Sequence, residues 1–236
     1  MRRLPTLLAL GLMLLCSGCL DDQMLQNIKT AIDPSEGSTP ADGLREALRV
    51  GTERAVDSLG RTDGYLASPE LKIGVPDDLE KLAKALRTLG AGDVVEEFET
   101  SLNRAAESAA PLAREVFWNA IREMTIEDAM TIIKGKGHEA TDYLRTHAEP
   151  VLVERFRPIV SRELDSVGAT KDFNELVDRA NSLPFVDKPV FDLPDYVTGE
   201  ALGGLWKELG KEEERIREDP LARTTELLRK YFGNGS

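Results

Sequence analysis

The chain has 236 residues, with 42 acidic against 30 basic side chains and a net charge of −12. That balance repels phosphate backbones and argues against nucleic acid as a partner. It repels anionic lipid as well, so charge alone would not hold the protein to a membrane.

Met1-Arg2-Arg3 is followed by an uncharged run from Leu4 to Leu15, and the stretch closes on Cys16-Ser17-Gly18-Cys19. Two arginines before about a dozen apolar residues is the layout of a secretory signal. The run falls short of the roughly 20 residues that cross a bilayer. It resembles the signal of bacterial lipoproteins, in which small residues precede a cysteine that becomes the acylated N-terminus. Cys16 stands where that pattern more often has Leu. The resemblance implies a signal peptide over residues 1–18, lipidation of Cys19 and anchoring in the cell envelope on the periplasmic side. Asp after the cysteine favours the inner membrane in such proteins. Here Leu20 follows it and the acids come at 21 and 22, which favours the outer membrane. Loss of Arg2 and Arg3 with the signal would take the net charge from −12 to −14. Cys16 would leave with it, so no thiol would remain for redox or metal chemistry.

Residues 19–42 read as a lipidated tether. Met24, Leu25, Ile28, Ala31 and Ile32 share one helical face. With Lys29 the one cation on offer, this short helix suits docking on a protein surface better than lying on headgroups. Asp33 to Pro40 is a polar linker. Fully flexible, about 20 such residues span on the order of 25 Å.

From 43 to 233 the pattern is helical. Leu44, Leu48, Gly51, Ala55 and Leu59 line one face, with Gly60 at its end and Gly51 pointing to a close helix crossing. Residues 61–75 are irregular and extended towards Pro76. A helix follows with Asp77 and Asp78 in its first turn, a seam of Leu79, Leu82, Leu86 and Leu89, and Gly90 as its stop. Asp93 is placed to cap a long helix whose seam includes Val94, Phe98, Leu102, Ala109, Leu112, Val116 and Met124, with a bend at Pro111. Thr125 to Asp128 forms a capping start. A break at Lys134-Gly135-Lys136-Gly137 leads to a short helix over 138–146. Another runs over 150–167 with Val153, Phe156, Val160 and Leu164 inward. A helix carrying Phe173 and Leu176 comes next, then an extended, Pro-punctuated stretch from Leu183 to Pro194. The helix carrying Tyr196 and Trp206 follows, and a last one begins at Asp219-Pro220. The sum is an all-α single domain of about eight helices around one long bent helix.

Reactive chemistry is thin. His138 and His147 lie in no hydrolase-like or metal-ligating spacing. Lys134-Gly135-Lys136-Gly137 lacks the spacing of a phosphate loop and reads as a helix break. Glu212-Glu213-Glu214 reads as a solvated charge run. No cofactor, metal or catalytic residue is expected, and the chain does not read as an enzyme. One polar group stands out. Asn103, Arg104 and Glu107 either line a binding cleft with Asp128 and Tyr143, or fasten two helices.

Six stretches are similar to a bacterial family known as domain of unknown function 4197. They begin at Ala47 (Ala-Leu-Arg-Val-Gly), Lys72 (Lys-Ile-Gly-Val-Pro), Asn103 (Asn-Arg-Ala-Ala-Glu), Asp128 (Asp-Ala-Met-Thr-Ile-Ile), Ala140 (Ala-Thr-Asp-Tyr-Leu) and Ile216 (Ile-Arg-Glu-Asp-Pro). The resemblance implies a helical envelope domain and no activity, cofactor or catalytic residue. A lipoprotein whose domain binds or scaffolds another protein is therefore expected. The alternative is a carrier of a small apolar ligand between helices.

Overall fold

A computed structural model describes residues 39–166, 168–181 and 192–219, with Ala222, Thr225 and Arg229. The signal, Cys19, the tether helix and the helix expected after Pro220 lie outside the described residues, as does most of the Leu183–Pro194 stretch. Among the described residues there are eight α-helices, one 3₁₀ turn and no strand, so the domain is all-α.

Helix α1 spans Pro40–Gly60, reaching three residues into the stretch read as tether. Its start is fixed by a capping box: the Thr39 hydroxyl accepts the Asp42 N–H, and Asp42 accepts the Thr39 N–H at 2.8 Å. Residues 61–76 form turns and extended chain. Helix α2 spans Asp77–Thr88 and stops in a Schellman motif. Gly90 adopts φ +80°, its N–H bonds the Arg87 carbonyl, and the Ala91 N–H bonds that of Leu86. Leu89, expected in the seam, falls beyond the last helical turn and is 78% exposed.

Helix α3 spans Gly92–Ala109 and α4 spans Ala113–Glu123, joined by a 3₁₀ turn over Ala110–Leu112. The backbone stays in the right-handed helical region through this turn, so the pair makes the expected long rod bent at Pro111. Asp93 is not the cap. The helix starts one residue before it, with Ala91 in the cap position, and Asp93 sits in the first turn. The bend also turns Leu112 out of the seam to the surface.

Helix α5 spans Ile126–Lys134 with the expected Thr125–Asp128 capping box. Helix α6 spans Glu139–Ser166 without interruption, where two helices were expected. Each internal proline costs about 3 kcal/mol. Against Pro150 and Pro158 stands a stripe at strict four-residue spacing: Ala140, Leu144, Ala148, Leu152, Phe156, Val160 and Leu164, all buried. Fully burying a large apolar side chain contributes about 1.5–3 kcal/mol. Five such residues outweigh the two prolines. The continuous stripe puts Leu152 inward and leaves Val153 exposed, correcting the expected seam.

Helix α7 spans Ala169–Asn181, after Gly168 at φ +83°. Helix α8 spans Leu193–Glu218, capped by the Asp192 side chain on the Asp195 N–H. It begins inside the stretch expected to be extended, because Pro194 occupies the first helical turn, where a missing N–H costs nothing. Helices α1, α3, α4, α6 and α8 share one apolar core.

Among the glycines of α1 and α8, the closest approach in this core is at Gly204, not at Gly51. A Cβ on Gly204 would lie 2.6 Å from Tyr65 Cε1, and the Tyr65 ring is fully buried with its hydroxyl donating to the Ala201 carbonyl at 2.7 Å. A Cβ on Gly51 would meet Ile216 and Glu212 at 3.7 and 3.8 Å, ordinary contact. Gly204→Ala is expected to destabilise by about 1–3 kcal/mol through overpacking. Gly51→Ala is expected to stabilise by up to about 1 kcal/mol through helix propensity. Thermal melts would separate the two, since 1 kcal/mol moves the midpoint of a domain this size by roughly 2–4 °C.

Candidate functional site

The five residues picked out in the sequence fall into two groups that share no hydrogen-bond or ion-pair partner among the described residues. Asn103, Arg104 and Glu107 belong to a polar stripe on α3 that also includes Glu99. Glu99, Asn103 and Glu107 recur every four residues and are all buried. Each clasps the irregular segment 61–76. Glu99 pairs with Lys72 at 2.6 Å and with Arg87 at 2.7 Å. Asn103 accepts the Ile73 N–H at 2.9 Å and donates to the Ile73 carbonyl at 2.8 Å. Glu107 accepts the N–H groups of Tyr65 and Leu66, both at 3.2 Å. Arg104 bridges Glu107 and Asp63, and these two carboxylates raise its pKa. Buried backbone outside regular structure must find partners, and this stripe supplies them.

Asp128 is occupied as the α5 cap, and its two bonds to Thr125 lower its pKa. Tyr143 stacks on His147 with ring centroids 4.1 Å apart, and burial raises its hydroxyl pKa. Both histidines are exposed. No group of three or more His, Cys, Asp and Glu converges on a metal position among the described residues.

A junction missed in the sequence lies where α1, α5, α6 and α8 meet. Of the three acids read as a solvated run, only Glu214 is exposed. Glu212 is buried between Arg215 at 2.7 Å and Arg54 at 3.7 Å, and burial raises its pKa. Glu213 turns to α6, accepting the Ala140 N–H at 3.1 Å, the Thr141 N–H at 2.9 Å and the Thr141 hydroxyl at 2.8 Å. Arg217, one turn on, pairs with Glu213 at 2.8 Å. It donates to the Ile132 and Gly135 carbonyls at the end of α5, both at 3.2 Å. One i,i+4 pair on α8 thus places an anion at the start of α6 and a cation at the end of α5, each matched to its helix dipole. The glycine turn between those helices is filled from within. Glu139 folds back onto the Lys136 and Gly137 N–H groups, and its pKa falls, led by a bond to its own N–H. In the sequence only the i,i+4 spacing of Glu213 and Arg217 pointed to this pair, and it carried no mark of burial.

The apolar void at this junction has a volume of about 30 Å³, room for about a single water. Trp206 and Tyr196 are committed to packing. Trp206 packs edge-on against Phe117 at 5.5 Å. The Tyr196 hydroxyl donates to the Gly74 carbonyl at 3.1 Å, and burial pushes its pKa up to about 12.

A larger concavity lies on the surface between α1 and α4, with a volume of about 340 Å³. Trp118, 38% exposed, forms one wall and buried Ile121 lies beneath it. Arg45, Arg49 and Arg122 rim it.

Comparison with known proteins identifies the family. The chain belongs to the family described as Protein of unknown function (DUF4197), whose model covers residues 35–233. No curated protein and no solved structure matches it.

Proposed function

We propose that this protein is a cell-envelope lipoprotein, anchored through an acylated Cys19 on the periplasmic side of the outer membrane, whose helical domain binds another protein. The observation that supports binding is the groove beside Trp118. A large aromatic and arginines are the residue types that dominate protein interfaces, and here they surround an open concavity. The buried acids support the same view, because each is engaged with backbone or arginine. A carrier that holds a small apolar ligand between helices needs an enclosed pocket on the order of 300 Å³; the void at the α8 junction is an order of magnitude smaller, and the concavities of about 340 Å³ between α1 and α4 and about 470 Å³ between α6 and α8 lie open at the surface.

The anchor is tested by Cys19→Ser, which should leave the precursor uncleaved and without lipid mass. Normal maturation of that variant would remove the lipoprotein assignment. Native mass spectrometry of the mature protein in mild detergent tests the domain. A clean protein mass is expected. A reproducible small-molecule adduct that leaves on denaturation would replace protein binding with ligand carriage.

A further inference from the structure

We infer that the groove between α1 and α4 receives an amphipathic helix of a partner protein, which sets an apolar side chain against Trp118 and a carboxylate against Arg122. This rests on the protein-binding proposal and specifies its site and partner chemistry.

The groove is formed by one face of each helix. Asp42, Arg45, Glu46 and Arg49 recur at helical spacing on α1, while Trp118, Ile121 and Arg122 do so on α4. The α1 face covers about 10 Å, or two turns. Two packed helices with a depression between them offer ridges to a third. A bound helix would read such a groove through anchors at i, i+3 or i+4, and i+7.

Charge selects among such helices. The two acids of the groove already have partners: Asp42 pairs with Arg45 at 3.1 Å and Glu46 with Arg49 at 2.9 Å. Arg45 also donates to the Met124 carbonyl at 2.8 Å, and Arg49 also grips Glu53 at 2.9 Å. These side chains are held in place before binding, so little entropy is lost when a partner arrives. Arg122 differs. Its side chain is exposed and donates to the Asn119 amide oxygen, and no described carboxylate pairs with it. On a chain of net charge −12 this is a cation that an incoming carboxylate completes. The same negative total disfavours an anionic lipid surface as the occupant.

The test uses the full chain in its own cells, with p-benzoylphenylalanine at Glu115, an exposed position one turn before Trp118. The same probe at Leu89, just past the end of α2, and at Val153 on α6, both exposed, gives comparison sites. Cross-linked segments are identified by mass spectrometry. The expected product at 115 is a segment of another protein with apolar residues at helical spacing and an Asp or Glu within one turn of them. Its yield should fall at least about tenfold, the effect of losing roughly 1.4 kcal/mol, in Arg122→Glu and in Trp118→Ala, and persist in Arg122→Lys. Both positions are exposed, and circular dichroism checks that each variant stays folded. Capture of a second copy, of lipid, or of a segment without acid overturns the inference, as does a yield indifferent to Arg122→Glu. Silence at 115 with protein captured from 89 or 153 overturns the groove assignment and leaves protein binding standing. Silence at all three positions overturns both.

Discussion

Replacing Glu213 with alanine should cost about 2–4 kcal/mol of folding stability, read as a lower urea midpoint with unchanged slope. The side chain is buried and does three things at once. It accepts two N–H groups from the first turn of α6, takes the Thr141 hydroxyl, and neutralises Arg217. Removing it leaves helix-start donors without their acceptor. It also takes from the mostly buried Arg217 guanidinium its nearer carboxylate, leaving Glu139 at 3.5 Å. Cap losses are typically about 1 kcal/mol, and a broken buried pair about 3–5 kcal/mol. Arg217 keeps the Ile132 and Gly135 carbonyls, so the expected value sits between those figures. Glu213→Gln should cost less, because its amide oxygen can still accept from Thr141. A Glu213→Ala variant as stable as the parent would show that the junction is not what joins α5, α6 and α8.

Asn103→Ala should also cost about 2–4 kcal/mol. The amide serves the N–H and the carbonyl of Ile73, and that residue is almost fully buried. Each buried backbone group left without a partner costs about 1–3 kcal/mol. Asn103→Asp is an informative companion. A carboxylate can still accept the Ile73 N–H but cannot donate to its carbonyl, and it brings a charge into a fully buried site. It should therefore be no milder than alanine. Native-state hydrogen exchange gives a local readout. The Ile73 amide should exchange faster in Asn103→Ala, while amides in the middle of α6 change only with global stability. If the cost were below about 0.5 kcal/mol, the α3 stripe would not be what fastens segment 61–76.

Much of the fold was legible in local chemistry. The capping box at Thr125, the stop at Gly90 and the bend at Pro111 depend on residues within one or two turns of each other, and all appear where their sequence places them. Local rules failed at Pro150. There a four-residue apolar stripe extending on both sides carries the helix through, at a proline cost that a short window overstates. The same limit applies to single seam positions. Leu89, Leu112 and Val153 sit at helical spacing yet face solvent, because a stop, a bend and a continued stripe rotate the buried arc by one position.

The polar residues divide in the same way. Asn103, Arg104 and Glu107 stood out because polar residues on an alanine-rich face demand partners, but apart from contacts within α3, such as the Arg104–Glu107 pair, those partners lie 30 to 42 residues back in chain that carries no helical pattern. Asp128 has its partner three residues away and could be placed from sequence. Glu213 could not. Its ligands are the N–H groups of a helix more than seventy residues earlier, and an acid beside two other acids carries no mark of burial. By itself, then, the sequence determined the class, the punctuation and the wish of each buried polar group for a partner, since these follow from backbone geometry and short-range spacing. Which helices meet, which two acids of three are buried, and where a groove opens beside Trp118 among the described residues were decided by tertiary packing. Burial there depends on what another part of the chain brings alongside.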